Sequence, residues 1–403
     1  MHHFYNPSYL FLKMIYFKLS RTFGMAKLKN KSKLKLLGFA CFISSGVFTA
    51  CSEVEDPVSI TACVENCTDL SSDLTLSNDA SLSSGVQFQI ELSSEAGVSS
   101  ANTISSSSDA GPAEAIANFE SLLSEAQFNS FFPNKNEFYT YQGFVDAVAA
   151  MDGVRIKLER RTELNYEAPQ VSKWDGSKWV VLYAHVDFNQ SWNLSKEISS
   201  IEVDFGDFLS VGTVAQRKEE LMAFLAQLSH ETTGRGPEDS MNGGLWFKEE
   251  VEGRGYTESN DANFQAVSGQ SYHGRGPFQI SYPYNYGKFS NEIYGNNEGL
   301  TRPAFVLDRP QIAFMAGIWF WMRPQQPKPS MHEIMIGTAV DIKGVNGDTS
   351  RFGWTTHVIN GGLECGIGGN LSSIDRQNYF KYYMSEVGLT PEDNLSCAQM
   401  TRY

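Results

Sequence analysis

The stretch DRPQIAFMAGIWFWM, residues 308–322, is apolar on every face that a helix can present. A helix without a polar side has no surface position and must be enclosed by other elements. The chain therefore has to build a core around it, and a composition of 41% hydrophobic and 13% aromatic residues supplies the material. Asp308 is the predicted N-cap of this helix, with Pro310 in its first turn. From Thr213 onward the pattern is mostly helical, and SSIDRQNYFKYYMSEVG predicts a helix capped by Ser372 or Ser373 and stopped by Gly388. Helical signals also run from Ala113 to Ala150. Between them, RIKLERRTELNYE, KWVVLYAHVDF and SSIEVDF alternate polar with apolar or β-branched residues, with DGSK as a turn. These predict a small β-rich insertion over 152–208, with Trp174, Trp179 and Trp192 packing its hairpin. The expected fold class is mainly α.

The first part of the chain has a different character. Residues 1–50 carry eight Lys or Arg and no Asp or Glu. A basic run from Lys27 to Lys35, a short apolar run from Leu36 to about Phe48 and a small-residue approach to Cys51 predict an export leader starting at Met1 or Met25. The apolar run is short for a membrane span. FTAC resembles a bacterial lipoprotein cleavage box, with Cys51 as the lipidated mature N-terminus and hence a membrane tether. An ordinary secretory signal cut near Ala50 fits the same residues. Either reading exports the protein, to the medium or to the cell surface. From Ser52 to Glu114 there are eleven acids and no Lys or Arg, in a Ser-rich setting. Such composition cannot bury enough apolar surface to offset the entropy of folding, so residues 51–112 read as a flexible spacer. The globular domain is then 113–403. Beyond residue 50 the net charge is −22, which argues against nucleic acid as a partner. Outside the leader and Cys51 four cysteines remain: Cys63, Cys67, Cys365 and Cys397. An even count in an exported chain predicts two bridges and leaves their connectivity open.

In LMAFLAQLSHETTGRG, residues 221–236, Leu221, Phe224, Leu225 and Leu228 fall on one helix face, and Glu231 lies one turn beyond Leu228 on that same face. Burial and the negative end of the helix dipole, with Gly234 closing the helix, both favour a protonated carboxyl there. Glycoside cleavage needs a general acid in that state. A glutamate at a helix end also commonly turns to solvent or pairs with a base such as Arg235, so the helix by itself decides nothing. Downstream, GGLWFKEEVEGRG brings Glu249 and Glu250. YHGRGPFQISYPYNYG then forms a stiff loop bearing Gln279, Ser281, Tyr284 and Asn285, whose amides, hydroxyls and aromatic faces suit a neutral sugar chain.

Five stretches together, FYTYQGFVDAV, AFLAQLSHETTGR, YHGRGPFQI, GIWFWM and VINGGLECG, resemble the glycoside hydrolase family 19 chitinases. The resemblance spans about 120–150 and 213–400, with its motifs in the family's order. It implies a two-lobed, mostly α-helical architecture like that of the lysozyme superfamily. It implies endo-acting hydrolysis of β-1,4-linked N-acetylglucosamine polymer, chitin, in one inverting step. Glu231 would be the general acid, Glu250 the general base and Ser281 a holder of the attacking water. Gln279, Tyr284, Asn285 and Asn360 fall where the family binds sugar, and Arg376 matches an arginine that supports the cleft. Inversion calls for carboxyl groups roughly 6.5–9.5 Å apart, room for one water. The resemblance also pairs Cys365 with Cys397.

Three departures stand out. Trp246 occupies the place of a family cysteine, His273 that of a tyrosine, and the 152–208 insertion has no counterpart in the compact plant form. Glu249 is the neighbour most easily mistaken for the base. Glu364 reads as structural, accepting backbone hydrogen bonds. The histidines lack metal-ligand spacing, so neither a metal nor another cofactor is expected, and the chain reads as a monomer. A peptidoglycan hydrolase and a catalytically silent sugar-binding surface protein remain as alternative functions.

Overall fold

The protein was studied as a computed structural model, which describes residues 111–161, 169–234, 241–339 and 350–401. The expectations for the leader, Cys51, the spacer up to residue 110, Cys63, Cys67 and Arg235 lie outside the described residues.

Three helices open the described chain: α1 (Pro112–Leu122), α2 (Glu125–Phe131) and α3 (Tyr141–Met151). A capping box between Ser124 and Gln127 starts α2, and the Thr140 hydroxyl accepts from the Gly143 amide to start α3. Four strands follow, β1 (Arg155–Arg161), β2 (Pro169–Trp174), β3 (Trp179–Ala184) and β4 (Ile198–Asp204), in the antiparallel order β3-β2-β1-β4. The predicted β-rich insertion is thus one small sheet, with the expected DGSK turn joining β2 to β3. Strand β2 escaped sequence reading. Pro169 at its start and the polar Ser172 and Lys173 mask an inner strand, yet Ser172 is buried and Lys173 Nζ donates to the Ile293 carbonyl at 2.6 Å. Trp174 and Trp179 pack edge to face across the hairpin as expected, whereas Trp192 is 54% exposed.

The remaining helices are α4 (Val214–Thr232), α5 (Pro283–Tyr294), α6 (Glu298–Thr301), α7 (Pro310–Met322), α8 (Met331–Ile336), α9 (Arg351–Glu364) and α10 (Leu371–Glu386). Helix α7 is the enclosed one. Its Phe314 stacks on Phe144 of α3 with ring centres 4.6 Å apart, and Trp321 meets Phe224 of α4 edge to face at 5.4 Å. Burying such rings supplies most of the favourable free energy of this core.

Two predicted caps are wrong. Arg309 takes the N-cap position of α7, because both oxygens of Asp308 accept from the Arg302 guanidinium at 2.7 Å. A bidentate charged pair is the stronger claim on that carboxylate. Asn370 caps α10 in place of Ser372 or Ser373, accepting from the Ser373 amide at 2.9 Å. Gly388, with φ of +71°, follows the end of α10 as expected.

The sheet is fastened to the helices through buried polar groups. Tyr183 of β3 donates to Glu292 of α5 at 2.6 Å, and Glu292 also accepts from Trp319 at 2.7 Å and from Arg323 at 3.0 Å. Every member of this network has a partner, the condition under which buried charges are tolerated.

Candidate active site

Helix α4 carries the apolar stripe as read: Leu221, Phe224, Leu225 and Leu228 are fully buried. The sequence expectation for Glu231 needs correcting. Its side chain is 20% exposed, held by an ion pair rather than closed in an apolar pocket. Gly234 does not close the helix either; Thr233 is the C-cap and its backbone is extended. The reason for a glycine at 234 is a close approach, since a Cβ there would meet Trp246 Cδ1 at 1.9 Å.

The partner of Glu231 is Arg376, sent from α10, whose Nη2 donates to Glu231 Oε1 at 2.5 Å. The same guanidinium donates from Nε and Nη2 to Glu364 at 2.9 and 2.8 Å, and from Nη1 to Gln227 Oε1 at 2.9 Å. Gln227 in turn donates to the hydroxyls of Thr355 and Thr356. Arg376 is 1% exposed, so its fork is fixed on every side. Burial by itself would raise the pKa of Glu364, but the adjacent Arg376 guanidinium overrides it and holds that carboxyl below its ordinary value. The expectation that Glu364 accepts backbone hydrogen bonds is corrected: its partners are side chains, Arg376 and Asn360. Asn360 leaves helical geometry inside α9, with φ −143° and ψ 32°, and its Nδ2 donates to Glu364 Oε1 at 2.7 Å. The Cys365–Cys397 disulfide is present and ties the residue after Glu364 to the C-terminal segment.

The segment of the second glutamate is laced to the end of α4 through Thr232, by its hydroxyl and its carbonyl. The Leu245 amide donates to Thr232 Oγ1 at 2.7 Å and the Phe247 amide to the Thr232 carbonyl at 3.0 Å. Three residues on, the Glu250 amide donates to the Gly274 carbonyl at 2.9 Å, and the Gly276 amide to the Lys248 carbonyl at 2.8 Å. One continuous set of hydrogen bonds therefore joins the helix of Glu231, the segment of Glu250 and the loop of Gln279 and Ser281. Glu250 accepts from the Tyr256 hydroxyl at 3.2 Å and lines a cavity of about 490 Å³ with Asn136, Trp246, Phe247, Glu249 and His273. Glu249 is 42% exposed and faces His273 at 3.4 Å and Arg275 at 3.6 Å. Burial and then the Arg275 charge lower the pKa of His273, so the ring is neutral at neutral pH.

The loop itself is strained. Gln279 and Tyr282 have φ of +47° and +73°, and they bracket Ser281. Of the seven described non-glycine residues with positive φ, five lie from Leu245 to Tyr282. Each costs on the order of 1–2 kcal/mol, and clusters of this kind mark functional surfaces. Ser281 Oγ donates to the Gln279 carbonyl at 3.0 Å, and Asn285 Nδ2 to the Ser281 carbonyl at 2.9 Å. Tyr284 stacks on Tyr282 with centres 5.7 Å apart, and the two residues Tyr284 and Asn285 line a separate cavity.

Sequence reading missed Gln227, Tyr256 and the pair of His230 with Asp375, whose Nδ1 and Oδ2 are 2.7 Å apart. Gln227 was findable: it stands one helical turn before Glu231, a polar residue next to the apolar stripe. Tyr256 and Asp375 carry no such signal, being brought to the site only by the fold. Among the described residues no group of three or more His, Cys, Asp or Glu side chains is arranged to hold a metal ion.

Comparison with known proteins adds an independent line. Residues 196–397 match the model of the Chitinase class I family of glycoside hydrolase family 19. Endochitinase CH25 of Brassica napus is 40% identical over 198 residues, which cover 48% of this chain and 61% of that protein. Chitinase 10 of Oryza sativa subsp. japonica is 37% identical over 201 residues, covering 48% and 68%. The crystal structure of chitinase C from Streptomyces griseus HUT6037 aligns over 68% of this chain and 97% of that one, with 29% identity and a TM-score of 0.46. The chain spans about three fifths of the length of the Brassica endochitinase and, at 58%, a similar share of acidic endochitinase WIN6 of Populus trichocarpa. With the family model covering half of the chain, and the rice relative matched over more than two thirds of its length, this protein belongs to the glycoside hydrolase family 19 chitinases.

Proposed function

We propose that the protein is an exported, endo-acting chitinase that cleaves the β-1,4 bond between N-acetylglucosamine units in a single inverting step. Glu231, carrying its proton on the oxygen that Arg376 does not hold, gives it to the glycosidic oxygen while Glu250 takes a proton from a water attacking the anomeric carbon from the opposite face. The bond from carbon to the leaving oxygen breaks as the new bond to water forms, and the first product is the α-anomer. Ser281 helps hold that water, and Gln279, Tyr284, Asn285 and Asn360 bind sugar. Arg376 stabilises the carboxylate left on Glu231 once its proton has gone, with Glu364 balancing the guanidinium's charge. Cys51, if lipidated, anchors the enzyme at the cell surface.

The observation that carries this reading is the set of hydrogen bonds from Thr232, by its hydroxyl to Leu245 and its carbonyl to Phe247, and from Glu250 to Gly274, which fastens the two glutamate-bearing segments to each other. The test is hydrolysis of chitin oligosaccharides by the purified chain, with product anomers followed by proton NMR and Glu231→Gln as control. An initial α-product and a loss of about two to four orders of magnitude in Glu231→Gln are expected. An initial β-product would overturn inversion. Cleavage of peptidoglycan but not chitin would replace the substrate, and binding without cleavage would make the protein a sugar-binding surface protein.

A further inference from the structure

The loop between the last two strands presents an apolar face to solvent. Residues 185–197 leave β3 at one edge of the sheet and enter β4 at the other, so they cross the sheet end where β1 closes and β2 begins. On this crossover Val186, Trp192 and Leu194 are each more than half exposed, and Ile198, the first residue of β4, is exposed as well. Single exposed apolar side chains are ordinary on a protein surface, but this run of them at one end of a sheet makes a patch, and patches mark contact sites. Residues 185–195 also precede position 196, where the family match begins. This face therefore belongs largely to the chain's own excursion.

The crossover is clamped from beneath. Arg161, buried at the end of β1, donates from Nε to the Phe188 carbonyl at 2.7 Å and from Nη1 to the carbonyls of Leu194 and Lys196 at 3.3 and 3.0 Å. Asn193 is fully buried, and its Nδ2 donates to the Asp187 carbonyl at 2.9 Å. Phe188 is buried too, with the Arg161 guanidinium 5.0 Å from its ring centre. The inner side of the loop is thus Phe188, Asn193 and the arginine clamp, which leaves Trp192 and Leu194 on the outer side. A backbone fixed before contact loses little further entropy on binding.

The chemistry of this face selects its partner. Of the exposed residues from 186 to 200, Glu197 alone carries a charge, and the others are Asn, Gln and Ser beside the apolar side chains. An anionic membrane surface calls for exposed Lys or Arg. The crossover has no arginine, and its one lysine, Lys196, is half-buried with Nζ 5.5 Å from the centre of the Trp192 ring. A second copy of this chain would bring the same net charge of −22 beyond residue 50, which opposes self-association. A solid of neutral N-acetylglucosamine chains fits all these features. Sugar rings lay apolar faces on an indole, and their hydroxyl and acetamido groups pair with amides and hydroxyls. The crossover starts at His185, at the rim of the cavity lined by Tyr284 and Asn285, so this end of the sheet stands beside the groove. We infer that the crossover face centred on Trp192 and Leu194 is a docking surface for insoluble chitin, separate from the groove, which holds the enzyme on the solid while the groove works on one chain. This inference rests on the chitinase reading above.

The experiment measures adsorption of the full chain to insoluble crystalline chitin beside kcat/KM on soluble chitotetraose, the adsorption in a Glu231→Gln background so that the solid is not consumed. Trp192→Ala is expected to weaken adsorption by about three- to tenfold, and Trp192→Ala with Leu194→Ala further, while kcat/KM on chitotetraose stays within about twofold of wild type. Val214→Ser, at an exposed apolar residue that starts α4, should change neither. Adsorption within about twofold of the parent in the double variant overturns the docking face. An equal loss on solid and tetramer does the same, since it puts the effect in the groove. Sedimentation of the wild-type chain with vesicles of phosphatidylcholine and phosphatidylglycerol, or a dimer in solution, either one abolished in the double variant, gives the face another occupant and also overturns the proposal. If the wild-type chain cleaves neither the tetramer nor the solid, the chitinase reading fails, whereas adsorption that depends on Trp192 would still support the face.

Discussion

Arg376 Nη2 lies 2.5 Å from Glu231 Oε1, and the same atom lies 2.8 Å from Glu364 Oε1. One buried cation thus holds two carboxylates from different elements together. Removing it would leave Glu364 as a buried charge without its counterion. Arg376→Ala should lower the unfolding free energy by about 3–5 kcal/mol and reduce activity with it. Urea denaturation checks the first part; a variant within about 1 kcal/mol of wild type would show that the pair is solvent-relaxed.

Glu249 and Glu250 are adjacent in sequence and differ in setting. Both line the same cavity, but Glu250 accepts from the Tyr256 hydroxyl at 3.2 Å, whereas Glu249 faces Arg275 and His273. Glu250→Gln should lose about two to four orders of magnitude in rate, and Glu249→Gln less than about tenfold. Initial rates on chitin oligosaccharides separate them, and the reverse ranking would move the base to Glu249.

Gly234→Ala places a methyl group where Trp246 now lies, 1.9 Å from Cδ1. The indole or the segment behind it has to move, at a cost of about 1–3 kcal/mol, and that segment leads to Glu250. A fall in kcat larger than the fall in thermal stability would imply is the expected result. Wild-type activity in the alanine variant would mean that the indole is free to swing aside.

His332 gives a pH signature on a different face. Burial by itself would lower its pKa, but Glu220, 2.7 Å away, overrides that, with Asp207 and Glu333 adding to it, and the net shift is upward. A histidine raised in the folded state contributes stability that is fully present below its unfolded value near 6.5 and lost as pH rises through the folded value. The difference in Tm between wild type and His332→Gln should therefore be largest below about pH 6.5 and shrink at higher pH. Calorimetry across that range checks it; a gap that widens with pH would contradict the assignment.

The sequence disclosed the elements whose signals are local and repetitive. The enclosed helix α7 and the stripe of α4 could be read because each position repeats the same demand for burial. The motif residues Glu231, Glu250, Gln279 and Ser281 were legible as a set through resemblance. What could not be read depends on contacts distant in sequence. Asp308 looks like a cap until Arg302 takes its oxygens, and β2 looks like a loop until Lys173 finds the Ile293 carbonyl. Glu231 looked enclosed because the helix pattern says which face it occupies, and nothing local says that α10 delivers a guanidinium to that face.

The anchoring of the sheet through Tyr183 has a consequence for any attempt to shorten this chain to the compact plant outline. Glu292 takes hydrogen bonds from Tyr183, Trp319 and Arg323 at once, and excising the strands removes the first of these and the cover above all of them. A trimmed protein would admit solvent to the heart of α5 and α7 unless Glu292 and Arg323 were replaced together by apolar residues. The excursion is less an ornament on an enzyme than a keystone whose removal demands that the arch be recut.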